Sequence, residues 1–460
     1  MTASLAALPG AGAAAPQPVI ATTRMASAHA GLAYSFKLKT TTPSRPGKWQ
    51  ILSGDTDGLT LEPKTGVMSG VPVAVGTFIL RVRFTDAKGA GRVTDRVQLD
   101  VGPVTPYGIY SRLTTGDDTS DIPEISANGA WVAFASVASD LGGPTNAAGG
   151  WVYRVHTGSE QVRPVAPGTA PDISADGRLI AFVSWSRHLV SHDPDGTQED
   201  VFIWRKGHSG FQLVPRSRGA LSVSVSDDGR YVAYDTRARL VKADRDKRPD
   251  VYVYDRKKRT TTFVNAGADR RAETPVLSGN GRWLTYAVAR SAAPGVGDVV
   301  LRDLRTGRSQ KITDGSVLAS DPALSADGGV VAYYVSDYSG PDYAYDVRVY
   351  TAASGSTVSV PSGYVDLGGE PTVSGDGSVV AFAGVVSGQS QVLSWSPGAA
   401  DVTQLTDGNY GSEEPSLSGN GQRIAFTSYA TDLVPGRTGR PSGSYASPDV
   451  FLWEPSPAST

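Results

Sequence analysis

A short pattern returns seven times along this chain: Pro, two residues, Ser, one residue, Asp or Asn, Gly, then an apolar run. The copies read Pro123-Glu124-Ile125-Ser126-Ala127-Asn128-Gly129, Pro171-Asp172-Ile173-Ser174-Ala175-Asp176-Gly177 and Ser222-Val223-Ser224-Val225-Ser226-Asp227-Asp228-Gly229. Then come Pro275-Val276-Leu277-Ser278-Gly279-Asn280-Gly281, Pro322-Ala323-Leu324-Ser325-Ala326-Asp327-Gly328, Pro371-Thr372-Val373-Ser374-Gly375-Asp376-Gly377 and Pro415-Ser416-Leu417-Ser418-Gly419-Asn420-Gly421. Only the third has lost its Pro. The closing glycines are 48, 52, 52, 47, 49 and 44 residues apart. Asp-Gly or Asn-Gly offers two residues that tolerate positive φ, as a type I′ hairpin demands. An apolar strand follows each turn, such as Leu179-Ile180-Ala181-Phe182-Val183-Ser184. A third follows after a variable loop, such as Asp250-Val251-Tyr252-Val253-Tyr254, and a fourth, more polar one closes the unit, such as Gln310-Lys311-Ile312-Thr313. Four antiparallel strands at this spacing are the unit of a β-propeller blade, so seven blades are expected.

The seventh copy ends at Asp449-Val450-Phe451-Leu452-Trp453, with no fourth strand before Thr460. Ahead of the first copy, Tyr110-Ser111-Arg112-Leu113-Thr114 mimics Thr403-Gln404-Leu405-Thr406. Residues 109–114 are therefore expected to supply the outer strand of the last blade, which protects an otherwise open ring.

The region before the repeats has another rhythm. Alternation is clear in Ala33-Tyr34-Ser35-Phe36-Lys37-Leu38 and in Phe78-Ile79-Leu80-Arg81-Val82-Arg83-Phe84, with turn residues between and no helical period. Residues 19–104 carry Gly58-Leu59-Thr60-Leu61, Thr65-Gly66-Val67-Met68-Ser69-Gly70-Val71-Pro72 and Gly76-Thr77-Phe78. This segment resembles the bacterial Ig-like, cadherin-like family, departing from it at Asp55-Thr56-Asp57, where members usually carry Leu-Pro. The resemblance implies a β-sandwich of about seven strands, usually a spacer or adhesive module. Trp49 and Met68 are expected in its core, and Asp86 at a strand-end turn, with a calcium ligand as the alternative. The repeats, residues 105–460, resemble TolB-like, WD-repeat-like propellers through P-x-x-S-x-[DN]-G-x-x-[IV]-A-[FY]. That resemblance implies a protein-binding or scaffold role. The expected fold class is thus all-β: a small sandwich, then a seven-bladed propeller. Residues 1–18, nearly all small or apolar, read as a disordered tail or the remnant of an export signal, and the domain types lean towards a secreted, periplasmic or cell-surface protein.

Composition narrows the chemistry. With Cys 0 there are no disulfides, thiolate metal sites or cysteine nucleophiles. A net charge of −2 argues against a general nucleic-acid binder, and no apolar run is long enough to span a bilayer as a helix. No G-x-S-x-G or phosphate-binding loop occurs, and the 5 His are scattered: His29, His156, His188, His192 and His208.

Strand order sorts the connections by face. Hairpin turns and third-to-fourth turns share one face. The other carries the long, varied segments 137–150, 185–199, 236–249, 336–345 and 429–448. Function on rigid scaffolds resides in such loops. Just before the inner strands stand Asp121, Glu273, Asp321, Glu370, Glu413 and Glu414, with Tyr364 and Tyr410 in the same loops. These point to an acidic channel mouth for a cation or a basic peptide end, partly offset by Arg270 and Arg271; ordinary solvated loop charge is the alternative. A second constellation, Asp193, Asp195 and Asp200, is echoed by Asp244, Asp246 and Asp250 in the next blade. Clustered oxygen donors with a Gly turn suit calcium, the only cofactor the sequence suggests, while an Asx-rich turn is the plainer reading. The leading functional reading is a non-enzymatic exported protein that binds a protein or glycan on the loop face. A carbohydrate-active or metal-dependent enzyme on that face, or a structural subunit of an envelope or particle assembly, are the alternatives.

Overall fold

The structure, a computed structural model, describes residues 19–41, 46–87, 92–143, 150–191, 193, 198–244, 248–264, 270–290, 297–337, 344–361, 370–435 and 447–456. The expectations for residues 1–18, Tyr364, His192, Asp195 and Asp246 lie outside the described residues. Every regular element described is a β-strand. The chain divides into two compact units, Met1–Val101 and Gly102–Thr460.

In the first unit, two sheets face each other across a core. One has four strands in the order Ala28–His29, Arg92–Gly102, Gly76–Asp86, Gly47–Ser53; the other has three, Tyr34–Lys37, Val67–Gly70, Leu59–Leu61. Alternation places Leu80, Val82 and Phe84 inside. Trp49 and Met68 are buried with them, and the Trp49 and Phe84 rings pack at 4.9 Å. The Asp55-Thr56-Asp57 departure has a local use: the Asp57 carboxylate accepts hydrogen bonds from the Val73 and Ala74 amides at 2.9–3.0 Å, tying two loops together. Asp86 is the buried last residue of its strand.

Among its described residues the second unit contains seven sets of four antiparallel strands. The sets beginning at Arg270 and Leu318 are joined by a single parallel pair, Gly297 with Leu318. The seven inner strands, Ser120–Ile125, Thr169–Ile173, Ala220–Val225, Arg270–Leu277, Leu318–Leu324, Thr372–Val373 and Ser412–Leu417, each neighbour the next around a closed circle. As the sequence predicts, Ile109–Arg112 completes the last set by pairing antiparallel with Asp449–Glu454. Arg112 and Thr114 fix that seam by binding the buried Asp449 carboxylate at 2.7 and 2.9 Å. A charge-assisted pair of this kind orients the strand as well as holding it.

The repeated motif explains both the turn and the ring. In the first copy the Ser126 amide donates to the Trp131 carbonyl at 2.8 Å, and the Trp131 amide donates to Ser126 Oγ at 3.0 Å. Ser126 Oγ donates to Asn128 Oδ1, which also accepts from the Ala130 amide. The same set recurs at all seven copies, so Ser and Asp or Asn form a side-chain frame for the turn. The turns are not type I′: only the glycine has positive φ, 65–81°, and the Asp or Asn before it does not. The acidic or amide residue is selected as an acceptor, and the glycine alone for its backbone.

That glycine also admits the neighbouring blade. A Cβ on Gly177, Gly281 or Gly328 would lie 2.2–2.4 Å from Trp131, Tyr231 or Trp283 of the preceding blade. The turns then link edge to edge. Backbone hydrogen bonds run from Asn128 to Ala175, Ala175 to Asp227, Asp227 to Gly279, Asn280 to Ala326, Ala326 to Gly375, Asp376 to Gly419 and Gly419 to Ala127. Seven bonds of 2.8–3.1 Å thus close a circle around one end of the channel.

Candidate binding channel

The inner strands are irregular at one repeated point. Ile122, Ala170, Thr274, Asp321 and Glu414 all have φ of 46–52°, and each directly precedes the motif proline. Proline disfavours the right-handed helical region for the residue before it. The third copy has no proline, and Ser222, at the place equivalent to these residues, is not left-handed. At the same level the pairing with the second strand slips, for example between Glu273 and Val276, Ser320 and Ala323, or Glu413 and Ser416. Such a bulge re-aims side chains that regular alternation would send elsewhere. Each non-glycine residue held there costs on the order of 1–3 kcal/mol, and such strain collects at functional positions.

The predicted acids are therefore strand residues and not loop residues. Asp121, Glu273, Asp321 and Glu414 lie within the inner strands, and only Glu370 stands just before one. The same correction applies to Arg270 and Arg271, which begin an inner strand. Arg271 pairs with Glu273 at 3.3 Å, offsetting part of that carboxylate's charge. Glu414 reaches from the last blade to the first: its Oε2 accepts from the Ile122 amide at 2.9 Å and from Thr427 Oγ1 at 2.8 Å. Asp321 accepts from Ser320 Oγ at 2.8 Å. Tyr410 is exposed, ahead of the last inner strand.

Two carboxylates that sequence reading passed over complete the channel. Glu124 and Asp172 follow the motif prolines of the first two copies. Glu124 accepts from Ser416 Oγ at 2.9 Å, and Asp172 accepts from the Val225 amide of the next blade at 2.6 Å. Burial pushes both carboxyls well above the usual range, and Asp172 adds to the effect on Glu124, followed by Glu370 and Glu414. Burial, then Glu414, raises Asp121 to about 6. Glu370, exposed at the mouth, is pushed up to about 7 by desolvation, then by Asp321 and Glu414. Tyr429 belongs to the same group, its hydroxyl pKa raised by burial and by Glu413, Glu414 and Asp121. The signal for Glu124 and Asp172 was present in P-E-I-S and P-D-I-S: a carboxylate two residues before the turn serine, alternating with a buried Ile. The channel thus holds carboxylates from four or more blades in a region where losing a proton is difficult and an arriving cation would relieve the repulsion.

The other predicted group is dispersed among structural contacts. Asp200 and Asp250 are buried first residues of third strands. Asp200 accepts from Ser217 Oγ at 2.9 Å, and buried Asp244 lies 3.4 Å from the Tyr252 hydroxyl. Asp193 is described, in the loop before Asp200. Among the described residues no group of three or more His, Asp or Glu is arranged to hold a metal ion. Among the described residues, no helix is long and apolar enough to cross a membrane.

Comparison with known proteins supports the architecture. The family described as Putative Ig domain matches residues 17–102. Comparison with curated proteins returns no match. Among solved structures, oligogalacturonate lyase from Vibrio parahaemolyticus is similar over 83% of this chain and 98% of its own, at 12% identity and a TM-score of 0.53. The β-propeller domain of the Trilobed protease from Pyrococcus furiosus, described as having an open velcro topology, covers 73% of this chain and 95% of its own, at 12% identity and a TM-score of 0.52. TolB from Acinetobacter baumannii covers 80% and 82%, at 15% identity and a TM-score of 0.43. Identities this low establish a shared β-propeller fold and nothing of activity.

Proposed function

We propose that this protein is a non-enzymatic binding protein whose propeller takes a cationic group of its partner into the acidic mouth of the channel. One observation carries the reading: Asp121, Glu370 and Glu414, from three blades, crowd near one another, and the first two hold their protons to about 6 and 7. Carboxylates gathered without compensating cations are costly, and a bound ammonium or guanidinium offsets that cost. The varied connections around the mouth would supply the remaining contacts with a basic segment of a partner protein. Protonated carboxyls attract cations weakly, so binding should strengthen as pH rises through the raised values. Calorimetric titration of tetralysine into the full chain should show affinity about tenfold tighter near pH 8.5 than near pH 5 at equal ionic strength. The Asp121→Asn, Glu370→Gln double variant should flatten that difference. Equal affinity at both pH values, or an unaltered pH response in the variant, overturns the reading.

A further inference from the structure

The first blade breaks the repeat at one buried position. In every blade the residue seven after the motif serine pairs with a residue of the third strand. Those partners are Arg154, Ile203, Val253, Leu301, Val349, Ser394 and Leu452. Five of the seven are aliphatic and one is Ser, so the fold does not require a cation there. Arg154 is nevertheless 8% exposed. On its other side it pairs directly with Arg163, and the residues equivalent to Arg163 in the other blades are all uncharged: Gln212, Thr262, Gln310, Val358, Thr403 and Ser111. Like charges directly opposed across strands destabilise a sheet.

The guanidinium is stacked between two indoles, 4.6 Å from the Trp131 ring and 4.2 Å from the Trp204 ring of the second blade. Lys206 Nζ lies 5.6 Å from the Trp131 ring. Stacking compensates part of the lost hydration, but it leaves the in-plane N–H groups unsatisfied. Arg154 forms no ion pair or side-chain hydrogen bond among the described residues, and its buried Nη1 has no acceptor. Burial and Arg163 both act to loosen its proton. By contrast, Arg423 at the seam between the last and first blades is satisfied by Glu454 and the Gly129 carbonyl. An unpaired buried cation paired across the strands with a second arginine, with a lysine over the same Trp131 ring, is an arrangement that an anion would complete.

We propose that the cleft between the first and second blades, on the hairpin side, is an oxyanion-binding site built by Arg154, Arg163 and Lys206 and walled by Trp131 and Trp204. The stack fixes the Arg154 plane, so its free edge presents forked donors to a sulfate, phosphate or carboxylate group. Arg163 and Lys206 are exposed and can close over it. This site stands independently of the acidic channel and takes ligands of opposite charge.

Because two tryptophans wall the cleft, ligand entry is readable by intrinsic fluorescence. The full chain is titrated with sodium sulfate at constant ionic strength, balanced with sodium chloride. A saturable change is expected, abolished in Arg154→Met, which keeps length and stacking area, and weakened about fivefold or more in Arg163→Gln. If Arg154→Met does not fold, the exposed Arg163→Gln, Lys206→Gln pair tests the same site without touching the stack. Dextran sulfate separates the sources: tighter binding per sulfate group assigns the site to a polymeric ester, and equal binding assigns it to the free oxyanion. A wild-type response that is linear and matched by chloride, or an unchanged titration in whichever variant folds, overturns the proposal.

Discussion

At the hairpin end of the channel, seven turns of nearly the same sequence use the same side-chain frame and pass a hydrogen bond from each blade to the next. At the other end, the inner strands bulge before proline, the acids differ from blade to blade, and the connections share neither length nor sequence. At the hairpin end, the turn position between the motif serine and the Asp or Asn is Ala or Gly in six of the seven copies. The exception is Asp227, whose carboxylate occupies the space above Gly279 and, with Asp228, Asn280, Asp327 and Asp376, lines a cavity of about 520 Å³. Small residues there let the backbones meet; strained residues at the far end aim side chains into the lumen. The difference shows how a repeat divides its labour: the end under one geometric constraint keeps one sequence, and the end free of it can specialise.

The comparison can be broken most severely at the seam, where the ring depends on a strand from outside the repeats. Deleting residues 105–115 removes the buried Tyr110 and Leu113 together with the Arg112 and Thr114 contacts to Asp449. Differential scanning calorimetry should show the propeller transition lowered by about 10 °C or more, since several kcal/mol are lost from one large domain. An unchanged melting curve would show that the ring holds without its seam.

A smaller effect separates the two demands on the turn glycines. Gly328 has φ of +81°, and an added Cβ would meet Trp283 at 2.2 Å, whereas Gly355, in a third-to-fourth turn at φ of +67°, has nothing within 4 Å. Gly355→Ala should cost about 1–2 kcal/mol in urea unfolding, from left-handed strain alone, and Gly328→Ala should cost about 1–3 kcal/mol beyond that. Equal losses would mean that blade approach adds nothing to the backbone requirement.

The smallest effect lies in the lumen and depends on pH. The Glu124 carboxyl pKa is raised in the folded protein, so the folded state binds that proton more tightly than the unfolded chain does. Its contribution to stability is present at low pH and is lost as pH rises through the raised value. Glu124→Gln keeps an acceptor for Ser416 Oγ without the charge. It should match the wild type near pH 5 and exceed it by about 1–2 kcal/mol near pH 9. A constant difference across that range would assign Glu124 a purely packing role.

Sequence reading put the predicted acids in loops ahead of the inner strands, and the structure puts most of them within those strands. Asp121, Glu273, Asp321 and Glu414 were placed ahead of the inner strands because proline reads as a strand start. In the structure the strands begin earlier and absorb the proline within a bulge. Such a bulge shifts the parity of alternation, so which residues ahead of it face the lumen cannot be counted from the turn. Glu124 and Asp172 lie on the turn side of the bulge, two residues before the motif serine, where counting from the turn does reach them. The pairing of Arg271 with Glu273, and the scattering of Asp200, Asp244 and Asp250 among separate contacts, depend on side-chain directions that spacing does not encode.

The chain's own order of residues determined the repeated hairpins, the all-β class and the strand that closes the last blade, because turn chemistry and period-two alternation act over a few neighbours. Tertiary structure decided which carboxylates share the lumen and which arginine lies between two indoles without a counter-charge. Those outcomes depend on surfaces brought together from residues tens to hundreds of positions apart, and they were fixed only when the ring closed.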